Sequence, residues 1–322
     1  MLDKITYPVA KELEAFDKLY TEALNRHLTH FQFMLDFVSK TKGKRIRPLV
    51  VILSAKLCGK PTDKTLEYAT ILELLHTATL IHDDVVDNTR ERRGQPSVMS
   101  EYDNQAAVLL GDYIISQAIV RGVETENLPA LKIMANLAQS MAEGELTQLV
   151  SSSELIVEEA RYMEVIRKKT AVLLASCAEM GALSVNAAPE IVKILRSIGE
   201  NLGMCFQMRD DIFDYFEQGD LGKPTGNDIR EGKITLPLIH ALQTVTKEQA
   251  DGLLKIIQSR DFSPSTIQMF IQFTKAHDGI EYAQAKMQAL KAETLALLNI
   301  FPNSDAKAAM LLLIDYIIER DK

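Results

Sequence analysis

Apolar residues recur along most of the chain at spacings of three and four, and no stretch alternates cleanly between apolar and polar positions. A period of about 3.6 marks one face of a helix, whereas a strand repeats every second residue. The pattern predicts helices over 8–40, 46–58, 64–88, 103–122, 128–151 and 155–183. Further helices are expected over 189–216, 235–244, 247–259, 264–275, 279–299 and 304–320. Local punctuation agrees. Ser263-Pro264 reads as an N-cap followed by a proline in the first helical position, and Pro189 can open a helix the same way. Gly59-Lys60-Pro61 ends one helix, and Asn299 to Asn303 separates the last two. No polar stretch is long enough for a linker, and there is no low-complexity segment or regular repeat. The expected fold is all-α, with a single domain over 1–322.

Two of these apolar helices end in acid. One carries Asp83-Asp84-Val85-Val86-Asp87 after Leu74 to His82, and the other carries Asp210-Asp211-Ile212-Phe213-Asp214 after Gly203 to Arg209. Carboxylates repel one another and are costly to desolvate, so such clusters call for a counter-charge. In each, the outer two aspartates are four residues apart and share a helix face, while the middle one is rotated by about 100°. Magnesium suits this geometry, because it keeps several waters and takes one or two carboxylates plus phosphate oxygens. A solvated acidic face is the ordinary fate of an acidic run. It fits poorly here, since the flanks are apolar on most sides. His76, Thr79, Asp83 and Asp87 form one stripe, and Gln207, Asp210 or Asp211, and Asp214 form another.

Each cluster is followed by a basic loop. Residues 88–100 hold Arg90, Arg92, Arg93, Gly94 and Pro96, and residues 219–232 hold Lys223, Pro224, Gly226, Asp228, Arg230 and Gly232. Upstream, Gly43-Lys44-Arg45-Ile46-Arg47-Pro48 opens an apolar helix. Cations at a helix start oppose the macrodipole, so they make sense if an anion binds there; the plainer alternative is a solvated basic loop. Lys169 stands where a polar segment turns apolar, which by itself reads as a charge leaving a helix face. His76 and His82 read as core histidines by default, and His76 gains weight from the Asp83 stripe.

Composition narrows the classes. With 322 residues the chain can bury a large core, and 47% hydrophobic with 25% charged content is ordinary for a soluble globular protein. A net charge of −8 argues against a nucleic-acid partner, which would need clustered excess Lys and Arg. Cys58, Cys177 and Cys205 are odd in number and in no metal or redox spacing, so they read as buried thiols in a reducing compartment. The first residues alternate charges without the apolar core of a signal peptide. No uninterrupted apolar run approaches the ~18 residues of a membrane span. A cytoplasmic protein is expected.

Taken in order, the two clusters, Gly43 to Pro48, Arg92-Arg93-Gly94, Lys169-Thr170, Phe206-Gln207 and Leu221-Gly222-Lys223 resemble the trans-isoprenyl diphosphate synthases. Among them the chain is most similar to the long-chain polyprenyl members, of octaprenyl or solanesyl type. The resemblance runs from about Lys44 to Tyr316–Lys322. It implies an all-α bundle around a central cavity, a homodimer, and a prenyltransferase that condenses isopentenyl diphosphate onto an allylic diphosphate. It implies that Asp83, Asp84, Asp87, Asp210, Asp211 and Asp214 hold two or three Mg²⁺ ions on the allylic diphosphate. Arg92, Lys169 and Lys223 would grip that diphosphate, with Thr170 and Gln207 beside the reacting carbon. Lys44, Arg47, His76 and Arg93 would hold isopentenyl diphosphate. One departure is Lys42-Gly43, where the family often has two glycines.

Product length follows from the first acidic helix. Thr79, Ala78, Leu75 and Leu72 lie one and two turns before Asp83, and Ala78 and Thr79 are small where short-chain members carry an aromatic floor. Each turn rises about 5.4 Å, near one isoprene unit, so the expected product is roughly C30–C50, suited to a quinone side chain, with roughly C15–C20 as the alternative. Small residues there are also ordinary helix packing. Transient membrane contact would release such a product. Two rivals share the fold. A class I terpene cyclase loosens the second cluster, and a non-catalytic subunit of a heteromeric synthase loses acidic clusters; this chain keeps both.

Overall fold

The computed structural model describes residues 1–25, 30–40, 43–92, 94–216, 226–260 and 262–320. Helices account for nearly all of the regular structure, as the spacing predicts. Among the described residues the only strands are two of two residues each, Glu91–Arg92 paired antiparallel with Gln95–Pro96. The chain divides into two compact units: Met1–Ala138 with Leu173–Gly199 and Phe301–Leu313, and Gln139–Val172 with Glu200–Ile300 and Ile314–Lys322. Several of these boundaries fall inside continuous helices, such as Leu128–Glu154 and Pro189–Phe213, so the sequence carries no linker signal there.

In the first unit, the helix Ile46–Cys58 is apolar all round, and Leu49, Val50, Val51, Ile52 and Leu53 are fully buried. A helix apolar on every side belongs to a core, where each such side chain contributes ~1.5–3 kcal/mol. It packs on the helix Asp63–Val86, which bears the first acidic cluster at its end. That helix starts at Thr62, whose N–H donates to Thr65 Oγ1 at 2.9 Å, and the Thr65 hydroxyl meets Ser184 Oγ at 2.6 Å. The cap fixes where the helix begins, and hence how far along it the aspartates come. Its largest partner is the helix Asn104–Glu124.

In the second unit, the short helix Leu236–Gln243 buries Leu236, Leu238, Ile239 and Leu242 and packs on Gly279–Leu298, Pro264–Ala276 and Glu159–Ile166. Glu159 accepts a hydrogen bond from the Tyr282 hydroxyl at 2.6 Å and pairs with Lys286 at 2.8 Å, locking two of these helices together.

Two expectations need correction. Residues 8–40 are not one helix: Ala10–Leu24 closes on Asn25, a residue type that favours helix ends, and a separate helix runs over Gln32–Lys40. Residues 155–183 are not uniformly α-helical either. An α-helix spans Glu159–Ile166, a π-helical turn spans Arg167–Ala171, and an α-helix resumes over Val172–Ser184. Two glycines make room for that turn. A Cβ on Gly144 would lie 2.7 Å from the Lys169 backbone nitrogen, and one on Gly203 would lie 2.4 Å from Ala171 Cα. Among the described residues one helix, Asn104–Glu124, is long and apolar enough to cross a membrane by length and composition, with 39% of its apolar window buried, although Asp112 interrupts its apolar run. Its Arg121 is buried and bound by both carboxylate oxygens of Glu67 at 2.7 Å, the pairing of a core helix. Val108, Leu109, Ile119, Val120 and Val123 remain exposed on its other side.

Candidate active site

The first cluster closes the helix Asp63–Val86. Asp83 is half-buried and Asp87 exposed, and the Asp87 N–H donates to the Asp83 carbonyl at 2.8 Å as the helix ends. Asp84, rotated by about 100° from Asp83, is buried. Its Oδ1 accepts Arg92 Nε at 2.8 Å and lies 2.6 Å from Arg92 Nη2. Asp84, Arg92 and His76 line a cleft of about 70 Å³ with Arg45, Glu73 and Thr77. Of the residues expected to hold isopentenyl diphosphate, His76 thus sits with Arg92, while exposed Lys44 and half-buried Arg47 do not line that cleft. Arg45, between them, adopts a left-handed conformation (φ 54°) and pairs with Asp17 and Glu73, each at 3.1 Å. Arg45 is therefore structural. So is His82, whose Nε2 lies 3.1 Å from the Val108 carbonyl oxygen. Arg93, Lys223 and Lys42 lie outside the described residues. Leu72, Leu75 and Ala78 are buried and Thr79 is half-buried, with its hydroxyl donating to the His76 carbonyl.

The second cluster closes the helix Pro189–Phe213 and is organised differently. Asp211 is buried, and both of its oxygens accept hydrogen bonds: Oδ1 from Gln207 Nε2 at 2.8 Å, Oδ2 from the Tyr162 hydroxyl at 2.6 Å. The Thr170 hydroxyl in turn donates to Gln207 Oε1 at 2.7 Å. Thr170 and Gln207, paired by expectation, are thus joined by a direct bond. Asp214 uses both oxygens on the backbone N–H groups of Asn227 and Asp228, at 2.8 and 3.1 Å, where a short helix begins. Asp210 pairs with Arg320. Lys169, within the π-helical turn, is half-buried and bound by Glu145 at 2.7 and 2.9 Å. A cavity of about 250 Å³ is lined by Lys169, Thr170, Gln207, Asp211, Asp228 and Lys233, among others.

Charge is poorly balanced around this cavity. Burial pushes the Asp211 carboxyl up to about 6, with repulsion from Asp210 and Asp214 adding to it and the Tyr162 and Gln207 bonds opposing it. Asp228 is raised well above the carboxylate range, first by burial and then by Asp211 and Asp214. Burial also raises Asp214, against the pull of its two backbone donors. Acids held this way favour any cation that enters. Among the described residues no three His, Cys, Asp or Glu side chains form a ready-made cage.

Tyr162, Glu145, Asp228 and Arg320 are the contributors that sequence reasoning leaves without a role. Asp228 falls in the second loop, where the sequence does show it. The other three are placed by tertiary packing, and no local spacing marks them.

A family model described as polyprenyl synthetase matches residues 29–273. An octaprenyl diphosphate synthase from Escherichia coli is 31% identical over 322 residues, covering 100% of this chain and 99% of that one. A polyprenyl synthase from Caulobacter crescentus, solved complexed with calcium and isoprenyl diphosphate, superposes with a TM-score of 0.92 at 31% identity, covering 100% of this chain and 98% of that one. A geranylgeranyl pyrophosphate synthase from Bacteroides thetaiotaomicron superposes with a TM-score of 0.85 at 38% identity, with 99% of each chain covered.

Proposed function

The chain belongs to the polyprenyl synthetase family and is a prenyltransferase, and we propose that it adds isopentenyl diphosphate units to an allylic diphosphate to make a long-chain all-trans polyprenyl diphosphate. The observation that carries this reading is the Thr170–Gln207–Asp211–Tyr162 chain of hydrogen bonds along a cavity that Lys169 also lines. It fixes an acid beside groups able to face a reacting carbon without competing as nucleophiles, and Lys169, held by Glu145, supplies a cation to the same cavity.

Asp83, Asp87 and Asp210 would hold Mg²⁺ on the allylic diphosphate, with Asp84, Asp211 and Asp214 completing the acidic surroundings. When bound, magnesium supplies charge neutralisation as the allylic carbon–oxygen bond ionises. Lys169, Arg92 and Lys223 stabilise the same departing charge. For Lys169 this means exchanging Glu145 for a diphosphate oxygen. Lys44, Arg47, His76 and Arg93 orient isopentenyl diphosphate, whose double bond attacks the allylic cation; a proton then leaves to the released diphosphate. Exclusion of water from the closed site would protect the cation.

A roughly C30–C50 product for quinone side chains is supported by the small Ala78 and Thr79 in a helix that rises about 5.4 Å per turn. A shorter, geranylgeranyl-like product is the second reading, favoured by the 38% identity to the Bacteroides thetaiotaomicron enzyme. The exposed Val108, Leu109, Ile119, Val120 and Val123 on one helix suit a second copy of the chain, so we assign a homodimer, working in the cytoplasm with transient membrane contact at product release. The test is to incubate the pure chain with Mg²⁺, isopentenyl diphosphate and farnesyl diphosphate, then size the dephosphorylated product. A ladder ending at C30 or beyond is expected; no product without a second protein, or a stop at C20, overturns the corresponding part.

A further inference from the structure

Arg320 is held by four residues of one helix, two turns apart from end to end. Its carbonyl accepts Arg209 Nε and Nη2 at 3.0 and 2.8 Å. Its guanidinium lies 3.9 Å from the Phe206 ring centroid and 5.7 Å from that of Phe213. Arg320 Nη2 donates to the Phe206 carbonyl at 3.2 Å and to Asp210 Oδ1. The Arg320 side chain is only 8% exposed, against 42% for Asp210. An arginine so enclosed at the end of a described segment is not a solvated surface charge.

Its hydrogen bonding among the described residues is nonetheless incomplete. Arg320 Nε is buried with no acceptor among them, a cost that a fully satisfied guanidinium does not carry. The strong contacts are the aromatic stack and the Asp210 oxygen, and these differ in kind. The stack needs only a cation over a ring face, whereas Asp210 offers a carboxylate that a divalent ion binds better. A guanidinium and a metal on one small carboxylate repel each other, so tight occupancy by both is disfavoured.

We propose that Arg320 is a positioning residue for Asp210: it serves as the resident counter-charge of that carboxylate and gives it up when a divalent metal binds. Phe206 and Phe213 keep the guanidinium close after the exchange. Arg320 thus lowers metal affinity at this cluster while holding Asp210 in place until metal and diphosphate arrive together. This rests on the reading that Asp210 ligates metal, and the test separates the two.

Mn²⁺ is titrated into the full chain with inorganic diphosphate present, and bound metal is read by electron paramagnetic resonance. Wild type, Arg320→Gln and Asp210→Asn are compared, and thermal melting is followed without and with metal. Arg320→Gln is expected to bind Mn²⁺ about fivefold more tightly, the size of a partly exposed ion pair. It is also expected to melt lower than wild type without metal, with the gap closing when metal is added. If that variant does not fold, Phe213→Leu, which loosens the stack, should tighten metal binding in the same direction. Unchanged or weakened metal affinity in the variant overturns the proposal. Unchanged affinity in Asp210→Asn instead removes Asp210 from the metal site, whatever Arg320 does.

Discussion

Asp84 and Asp211 occupy the same place in two occurrences of one five-residue pattern, and both are buried. The first is met by the Arg92 guanidinium, the second by a phenol and an amide. A charged partner neutralises; a neutral donor only solvates. Asp211 is therefore pushed up to about 6 by its burial, and the acids near it share the strain. The first cluster reads as settled in itself, with its middle acid tied to its own loop. The second meets its middle acid with neutral donors, while its leading acid, Asp210, pairs with Arg320. Equal spacing in sequence thus conceals unlike partners for the same position.

The largest test of this contrast is loss of the leading acid in each cluster. Asp83→Asn and Asp210→Asn should each lower turnover by about a hundredfold or more, the scale of losing a transition-state charge partner. Near-normal magnesium-dependent turnover in either would break the metal assignment for that cluster.

Next in size is the middle pair. Arg92→Ala strands a buried carboxylate and should destabilise the chain by about 3 kcal/mol in denaturant unfolding. Tyr162→Phe removes one neutral donor and should cost only about 1 kcal/mol. Equal costs would erase the distinction between the two clusters. Between these lies Gly203→Ala. Its methyl would press on Ala171, and overpacking of this kind costs about 1–3 kcal/mol. Because Ala171 ends the π-helical turn, KM for the allylic diphosphate should rise as well; a stability loss with KM unchanged would detach the turn from substrate binding.

The smallest effect on rate belongs to the first-cluster helix upstream of its acids. Ala78→Phe and Thr79→Phe should keep activity and shorten the product ladder. An unchanged ladder would place the chain-length floor elsewhere.

What the sequence makes legible follows from locality. Helix type and most helix positions are readable, because the period of the apolar face is a short-range signal. The acidic clusters are readable for the same reason, as are Thr170 and Gln207 through their resemblance to a known pattern. The break after Leu24 is missed because apolar spacing continues across Asn25. The π-helical turn is missed because it depends on Gly144 and Gly203, each distant in sequence from Lys169 and Thr170. Tyr162 is invisible as a partner of Asp211 until the fold brings the two together. The role of Arg45 is likewise unreadable from the run of three cations at Lys44, Arg45 and Arg47, since only packing shows it bound to Asp17 and Glu73.

The π-helical turn at Arg167–Ala171 carries an implication for how this chain can be altered. Such a turn holds one residue more than its α-helical counterpart, so removing any single residue from it would restore ordinary winding. The helices on either side would then keep their register, and only the side chains of the turn itself, Lys169 and Thr170 among them, would lose their present places. Homologue grafts and shuffled chimeras should accordingly carry this stretch whole, because a relative with one residue fewer there would align its flanking helices and still lose the turn.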